Sequence, residues 1–363
     1  MTLRPDSTHH TPSPLAGDLS DGSWLRVLVH GATAFALLDA GVRSSLFEYL
    51  ELTPDAEPET IAKALDLEPQ PTRVLLLGLT SLRLLHKDGS RYRNTEIVRR
   101  KLLAASPEYL GPLIRMQSEV INPAMPDLLE SLRDNTNTGL RRLSGGGDTL
   151  YARLVEHPEL QQLFYDNMGD ASRKTFRFAL DAFDFTRLTH VVDLGGGDAT
   201  NAIELARRFG HLRVTVFDQP EVLPIARRNI ERAGLADRID TVAGDLFATE
   251  FPTGVDGFLY FHIHEIWSAE RNTALLRKCH EALAPGGAAI VYNFVADDDE
   301  RGPLIAGFLS AYFLGLASGE GMTYTARDMA EHLVDAGFTR TETVPDLPFN
   351  HALVAGFKGR RRA

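Results

Sequence analysis

Three aspartates stand at the ends of three apolar runs typical of buried strands, and together they suit a nucleoside ligand. Asp193 lies in the first run, residues 190–194, while Asp218 ends the second and Asp245 follows the third. A carboxylate at the second position is suited to binding both hydroxyls of a ribose. The third could accept a hydrogen bond from an adenine amino group, with Phe247 against the face of the ring. Three such residues in order point to one binding site.

A glycine loop joins the first run to a helical segment. The loop, Gly195-Gly196-Gly197, allows a tight turn and a close approach of the backbone to a ligand at a helix N-terminus. The same three-glycine string at 145–147 lacks this strand–helix context, so we interpret it as a flexible connection. A nicotinamide dinucleotide loop would have a further glycine where Thr200 stands, and an oxidoreductase is therefore disfavoured.

Two histidines follow the fourth apolar run, and their spacing permits two kinds of chemistry. His264 precedes Glu265, and a neutral imidazole oriented by a carboxylate can act as a general base. His262 and His264, two residues apart at a strand end, are predicted to face the same side. With Glu320 they would form a two-histidine, one-carboxylate metal set. Because spacing is the only support for that set, we assign no metal ligand.

The composition is that of an ordinary globular protein. The chain has 363 residues, a net charge of −11, and 44% hydrophobic and 24% charged residues, which excludes a disordered or collagen-like chain. The negative charge gives no general attraction to nucleic acid or to anionic lipid. The single cysteine, Cys279, excludes an intramolecular disulfide and is consistent with a cytoplasmic location.

The first third of the chain predicts a helical domain that ends in a hairpin. Residues 1–21 are rich in Ser, Thr, Pro and His and are predicted to be a disordered leader. In residues 22–110, helical stretches precede alternating residues around Asp88-Gly89, a strong hairpin signal. This is the order of a winged helix, so a DNA-binding regulator is one alternative. Its second helix, 72–82, is mostly apolar with a single Arg, which favours a dimerisation domain instead.

The remaining chain predicts an α/β domain over residues 111–363. Residues 111–187 are interpreted as linking helices, and residues 188–363 alternate strands with helices. That alternation predicts a parallel sheet covered on both faces, here with an antiparallel edge strand. The uncharged run 302–319 is interrupted by Gly, Pro and Ser, so it is interpreted as a buried helix and not as a membrane span.

Taken together, these motifs resemble those of the plant-type S-adenosylmethionine-dependent small-molecule O-methyltransferases, which have many bacterial relatives in natural-product pathways. The resemblance covers nearly the whole chain and rests on the helical N-terminal half and on residues 191–197, 217–220, 244–247 and 275–287. It implies a Rossmann-like class I methyltransferase domain, S-adenosylmethionine as cofactor, and a homodimer built by the N-terminal domain. The cofactor-binding residues that it implies are Asp193, Gly195, Gly197, Asp218, Gln219, Asp245, Leu246 and Phe247.

The resemblance also implies a catalytic base. His264-Glu265 is similar to the family's base and its neighbour, with Ile266 inserted before Trp267. A methyl group on a sulfonium needs little activation, whereas a phenol is mostly protonated at neutral pH. A base that removes the phenol proton contributes about 10²–10⁴-fold to the rate. We therefore expect His264 to be the base, with Glu265 or Glu320 orienting its ring.

The acceptor is expected to be a small aromatic metabolite. Phe164 and Met168 are similar to the family's pocket-lining residues, and Tyr312 lies on an apolar helix, so all three are predicted to contact the acceptor. O-methylation of a phenol is the first expectation. The alternatives are C-methylation of an aromatic ring, or of a 2-oxo acid beside its ketone with possible help from a metal, and a DNA-binding regulator of another class.

Overall fold

The structure, a computed structural model, describes residues 21–359. The predicted disordered leader, 1–21, lies outside the described residues except for Asp21, where the first helix begins. Contacts divide the chain after Ser118 into two units, close to the predicted domain boundary at 110.

The N-terminal unit is helical with one two-stranded hairpin. Its elements are α1 (Asp21–Val29), α2 (Gly31–Arg43), α3 (Leu46–Leu52), α4 (Pro58–Leu65), α5 (Pro69–Ser81), β1 (Leu85–Asp88), β2 (Arg91–Asn94), α6 (Glu96–Lys101) and α7 (Gly111–Met116).

Local sequence explains where these elements begin and turn. Pro58 and Pro69 stand in the first turns of α4 and α5, where a missing N–H costs nothing. Asp88 pairs with Arg91, so Gly89 and Ser90 form the turn, and Gly89 takes a φ of +58°. The predicted order of helix, turn, helix and hairpin is therefore present. The winged-helix assignment and the dimerisation role of this unit stay predictions.

The outer face of α5 exposes Val74 and Leu77 together with one cation, Arg73, and one amide, Gln70. Leu75, Leu76 and Leu79 are buried in the core of the unit, whereas Val74 and Leu77 are 59% and 71% exposed. A helix that reads DNA presents cationic and amide side chains on such a face. The regulator alternative gains no support from this helix.

A seven-stranded sheet forms the centre of the second unit within residues 119–359. The strand order is β5-β4-β3-β6-β7-β9-β8. β3 to β7 run parallel, and β9 is antiparallel to both of its neighbours. The predicted antiparallel strand therefore lies one position inside the edge, and β8 forms the edge. The strands are β3 (His190–Leu194), β4 (Arg213–Asp218), β5 (Ile239–Ala243), β6 (Val255–Phe261), β7 (Leu283–Phe294), β8 (Arg340–Leu347) and β9 (His351–Phe357).

Helices cover both faces of this sheet. A first core cluster, which includes Phe176, Leu205 and Leu259, packs one face against α11 to α13, and a second, which includes Tyr260 and Leu275, packs the other against α14 and α16. Alternate residues of each strand enter different clusters because side chains alternate across a sheet. The helices are α8 (Asn122–Ala124), α9 (Leu128–Asp134), α10 (Leu150–Leu154), α11 (Pro158–Ala182), α12 (Thr200–Arg208), α13 (Leu223–Ala233), α14 (Ala269–Ala282), α15 (Leu304–Tyr312) and α16 (Ala326–Asp335).

The uncharged run 302–319 is only partly buried. α15 exposes Leu304, Ile305 and Phe308, whereas the π-helical turn that continues it, Phe313–Ala317, is mostly buried. The expectation of a wholly buried helix was wrong for its first half. Across residues 21–359, no helix has the length and hydropathy needed to cross a membrane.

Burial of α12 against the sheet is expected to stabilise the second unit. Leu205 is fully buried, so Leu205→Ala should lower the free energy of unfolding by about 2–5 kcal/mol through lost packing and a cavity. Arg207→Ala, at an exposed position two residues later, is the control and should change it by less than about 0.5 kcal/mol. Urea titration monitored by circular dichroism measures both, and equal effects would contradict this packing.

Candidate active site

The glycine loop between β3 and α12 has a backbone that only small residues accommodate. Gly195 and Gly197 have φ values of +61° and +58°, in the left-handed region. A Cβ atom on Gly195 would lie 2.4 Å from Ile263 Cδ1. The Gly195 N–H donates to the Phe217 carbonyl at 2.8 Å, which joins the loop to the end of β4. Ala199, with φ +68°, completes the turn into α12.

Asp218 joins this loop to the end of β4. Its Oδ2 accepts from the Gly197 N–H at 2.8 Å, and its Oδ1 accepts from the Gln219 N–H at 2.7 Å. Burial raises the pKa of Asp218 to about 6, although these two backbone donors act in the opposite direction. A carboxylate has about four acceptor positions, so each oxygen can accept a further hydrogen bond.

Asp193 lies beneath the loop. It is 1% exposed, and its Oδ2 finds no hydrogen-bond partner within residues 21–359. Burial, with Asp218 and Asp198 nearby, raises the pKa of Asp193 to about 8. The side chain is therefore mostly protonated at neutral pH, which avoids placing a second negative charge beside Asp218.

The loop after β5 forms the opposite wall of a cleft. Asp245 Oδ1 accepts from the N–H groups of Phe247 and Ala248, both at 2.8 Å, which fixes the turn. The Arg271 guanidinium lies 3.7 Å from the Phe247 ring centroid and 4.4 Å from that of Trp267. Two aromatic rings and a planar cation thus line this wall.

The cleft has a volume of about 310 Å³, within the range of small-molecule sites. Two residues of the predicted cofactor set, Asp193 and Gly197, do not line the cleft. The other six members line it directly: Gly195, Asp218, Gln219, Asp245, Leu246 and Phe247.

Sequence reasoning missed one wall of this cleft. Asp148 and Thr149, which follow the first three-glycine string, line it. Thr149 also caps α10, because its Oγ1 accepts from the Ala152 N–H at 3.2 Å. The interpretation of 145–147 as a mere connection was therefore incomplete. No local signal marks this wall, since it arises where the chain folds back onto the loops of the sheet.

His264 is directed into the protein core. It is 1% exposed, and its Nε2 lies 3.0 Å from Nδ1 of His332 on α16. Its ring also packs edge-on against Tyr260 and Tyr324. Burial and the neighbouring His332 hold the pKa of His264 well below its usual range. The structure does not place this imidazole in the cleft, so its role as base stays a prediction without geometric support.

Glu265 has different surroundings from its neighbour. Its carboxylate is buried, and its charge helps to raise the pKa of both Tyr151 and Tyr312. One oxygen, Oε1, lies 3.5 Å from His262 Nδ1. The other, Oε2, is buried without a hydrogen-bond partner in the described chain. Glu265 therefore keeps a free acceptor oxygen.

Glu320 does not orient His264. Its Oε1 accepts from Arg271 Nη1 at 2.7 Å, so it holds the guanidinium that stacks on the cleft wall. His262, His264 and Glu320 thus take three different sets of partners. In residues 21–359 no group of three or more His, Cys, Asp or Glu is placed to hold a metal ion.

The predicted acceptor residues are placed unequally. Tyr312 lies in the polar group around Glu265, and Phe164 packs edge-on against Tyr151 with ring centroids 5.7 Å apart. Met168, one helical turn further, is 38% exposed. Tyr165, which the sequence did not single out, lies against the glycine loop, where a Cβ on Gly197 would be 3.5 Å from its ring.

Comparisons with known proteins agree with this geometry. A family model described as an O-methyltransferase domain matches residues 127–339. The chain is 34% identical over 346 residues to an L-tyrosine C(3)-methyltransferase of Streptomyces lavendulae, which covers 93% of this chain and 94% of that protein. It is 31% identical over 345 residues to a 3-hydroxy-5-methyl-1-naphthoate 3-O-methyltransferase of Streptomyces sahachiroi, with 95% of each chain covered.

A solved structure supports the same assignment. The apo crystal structure of the S-adenosylmethionine-dependent methyltransferase SibL is 37% identical, with a TM-score of 0.78, and the match covers 93% of this chain and 99% of that one. The chain belongs to the S-adenosylmethionine-dependent O-methyltransferase family. It is therefore a methyltransferase, and S-adenosylmethionine is its cofactor.

The cleft of this methyltransferase fits that cofactor. Asp218 keeps acceptor capacity for the two ribose hydroxyls, and Asp245 is exposed at the far end. The indole Nε1 of Trp267 is buried without a partner among the described residues, on a residue that lines the cleft. Such a donor is satisfied when a polar ligand fills the cleft. The individual assignments of these residues to ribose and adenine stay predictions.

Removal of the Asp218 carboxylate is expected to weaken cofactor binding. A hydrogen bond to a charged group contributes about 1.5–3 kcal/mol, so Asp218→Ala should raise the dissociation constant for S-adenosylmethionine by about 10–100-fold. Calorimetric titration measures this. Asp240→Ala, an exposed aspartate paired with Arg213 on the same sheet, is the matched control. Unchanged affinity in Asp218→Ala would remove Asp218 from the cofactor site.

Asp193 is expected to make stability depend on pH. Its unfolded pKa is about 3.9, so between about pH 4 and 8 the folded state binds the extra proton, and the free energy of unfolding falls as pH rises. Asp193→Asn removes this contribution. In urea titrations from pH 4 to 8, the stability of the wild type minus that of the variant should decrease steadily. A difference that is constant or increases would contradict a protonated Asp193.

Proposed function

We propose that this methyltransferase methylates a phenolic acceptor, with Glu265 as the base, at the ring carbon next to the hydroxyl. The observation that carries the proposal is the buried Glu265 Oε2, which lacks a hydrogen-bond partner in the described chain and belongs to a carboxylate whose charge helps to raise the pKa of Tyr151 and Tyr312. The similarity to an L-tyrosine C(3)-methyltransferase supports a phenol as acceptor and carbon as the site of transfer.

The cofactor and the base divide the chemistry between them. S-adenosylmethionine supplies the methyl group from its sulfonium, which needs no activation by the protein. Glu265 accepts the phenol proton, and the resulting phenolate carries electron density on its oxygen and on the ring carbons beside it. In C-methylation the ring then loses the hydrogen that the methyl group replaces, and one proton is released overall.

The proposed base is therefore Glu265, one residue after the histidine that the sequence predicted. His264 keeps one free ring nitrogen, its buried Nδ1, because its Nε2 meets His332. His262 is placed to orient the Glu265 carboxylate through its Nδ1. Glu265 is preferred as the base because burial and the neighbouring His332 lower the pKa of His264, which makes its ring a weaker base than a free imidazole.

O-methylation of a phenol is the second candidate. It is favoured by the description of the matching family domain and by the similarity to a naphthoate 3-O-methyltransferase. Both reactions begin with the same proton removal, so the same residues serve either one. The orientation of the acceptor decides between oxygen and carbon. Metal-assisted methylation of a 2-oxo acid is less favoured, because its predicted ligand set does not converge.

The N-terminal unit suits association with a second copy of the chain. Exposed apolar side chains on α1 and α5 are rarely left uncovered in such numbers on a monomer. We infer a homodimer formed through these helices. The residues concerned are Leu25, Leu28, Val29, Val74 and Leu77.

Replacement of the base tests the proposed function. Glu265→Gln keeps the shape of the side chain but removes the base, so kcat with a phenolic acceptor should fall by about 10²–10⁴-fold while S-adenosylmethionine affinity is retained. Product NMR locates the new methyl group on carbon or oxygen. Glu281→Gln, at an exposed position in the last turn of α14, is the matched control.

His264→Phe decides between the two neighbours. If Glu265→Gln is fully active and a folded His264→Phe is inactive, the base is His264 and the assignment to Glu265 is wrong. If Glu265→Gln loses activity and still binds the cofactor normally by calorimetry, the assignment to Glu265 is supported.

A further inference from the structure

Two uncharged residues, one at the end of β7 and one shortly before α16, are buried with unused hydrogen-bonding atoms. Asn293 and Thr323 are each 1% exposed. Neither the Oδ1 nor the Nδ2 of Asn293, nor the Oγ1 of Thr323, has a hydrogen-bond partner anywhere in residues 21–359. More than nine in ten buried polar atoms in proteins are paired, so three such atoms together require an explanation.

Asn293 faces the side of the sheet that the second core cluster covers. Residues two apart on a strand share a face, and Asn293 stands between Val291 and Val295. Val291 belongs to the second core cluster and Val295 packs against it. Tyr151 and Tyr312 pack against the same cluster. The amide therefore extends from the carboxyl end of β7 toward the region that contains these tyrosines.

Thr323 comes to the same place from a distant part of the chain. Its N–H donates to Ser310 Oγ on α15 at 3.0 Å. The next residue, Tyr324, accepts through its carbonyl from the Ala296 N–H at 3.0 Å, just beyond the end of β7. Thr323 is thus held between α15, which ends at Tyr312, and the chain that leaves β7.

These polar side chains do not serve the fold. The positions that flank Asn293 on its own face are valines, and an apolar residue in its place would leave no buried atom unpaired. Unpaired buried polar groups destabilise the folded state, and they persist in functional sites where a ligand satisfies them. The Glu265 Oε2 is also buried without a partner among the described residues.

We propose that Asn293 and Thr323 form a subsite that binds a second polar group of the acceptor, remote from the phenol that Glu265 receives. The amide of Asn293 offers two N–H donors and one acceptor oxygen, and the Thr323 hydroxyl offers one of each kind. Such a pair matches a neutral group that both accepts and donates hydrogen bonds, such as a carboxamide. This inference rests on the proposed function, and it adds the class of substituent that the acceptor carries.

The charges of the site favour a neutral group over an ionised one. Asn293 and Thr323 carry no charge, and the Glu265 carboxylate acts electrostatically on Tyr312, at the end of the helix α15 that holds the Thr323 N–H. A carboxylate on the acceptor would be buried without a cation and repelled by Glu265. A site built to hydrogen-bond a substrate group discriminates strongly against analogues that lack it, because its own polar atoms are then left unpaired.

Four phenols that differ only in the group opposite the hydroxyl test the subsite. They are 4-hydroxyphenylacetamide, 4-methylphenol, tyramine and 4-hydroxyphenylacetate, assayed with S-adenosylmethionine by release of S-adenosylhomocysteine. The amide should exceed 4-methylphenol in kcat/KM by about 10²-fold or more. Asn293→Leu and Thr323→Val should each reduce this ratio at least about tenfold, chiefly through KM of the amide. Preference for the amine or the carboxylate would overturn the neutral class.

Thermal unfolding separates a binding role from a structural one. Because the variants remove unpaired buried polar atoms, Asn293→Leu and Thr323→Val should unfold at the same or a higher temperature than the wild type. Val291→Ala, on the same strand face, is the control for lost packing and should lower it. Lower melting temperatures in both polar variants, with an unchanged amide preference, would overturn the subsite.

The two proposals can fail separately. If the wild type methylates none of the four phenols, the proposed function fails for this class, and the melting temperatures of the variants alone decide whether Asn293 and Thr323 are structural. If all four are methylated at similar rates and the variants do not change the pattern, the phenol assignment stands and the subsite is wrong.

Discussion

One carboxylate joins the two loops on which the cofactor cleft depends. Asp218 ends β4 and accepts from the Gly197 N–H, while the Gly195 N–H donates to the carbonyl of the residue before Asp218. These bonds form only if β3 and β4 lie side by side in parallel with their carboxyl ends level. The cleft can therefore form only when β3 and β4 are paired in this register. The hydrogen bonds to the end of β4 also fix the two glycines in their left-handed conformation.

The sequence predicted well what local pattern controls. Apolar runs located the strands, and β3 was predicted at its observed bounds, 190–194. Two of the three aspartates that were expected at one site, Asp218 and Asp245, line the cleft because parallel strands bring their carboxyl ends to one edge, whereas Asp193 does not line it. The antiparallel β9 was misplaced at the edge, since its position between β7 and β8 is set by long-range pairing that no local residue marks.

The side chains that follow β6 could not be placed in the same way. Alternation along β6 predicts that His262 and His264 share a face, but His262 has a φ of +53° and residues His264–Ile266 form a 3₁₀ turn. The period of two therefore ends at Phe261. His264 contacts His332 of α16, whereas Glu265 lies beside His262. The ion pair of Glu320 with Arg271 has no local signal either, because the two residues are 49 positions apart in the chain.

Four buried polar side chains of the second unit contribute little to the stability of the fold. Asp193 is held protonated, and Glu265, Asn293 and Thr323 keep unpaired atoms, while the cores on both faces are closely packed with apolar residues. If packing were the sole requirement, an apolar side chain at each of these positions would make the fold at least as stable. Ligands that satisfy these atoms bind the folded state and not the unfolded one, so occupancy of the cofactor and acceptor sites stabilises the chain through mass action. The fold leaves these polar atoms without hydrogen-bond partners until ligands bind. Their donor and acceptor character therefore defines which polar groups the ligands must carry.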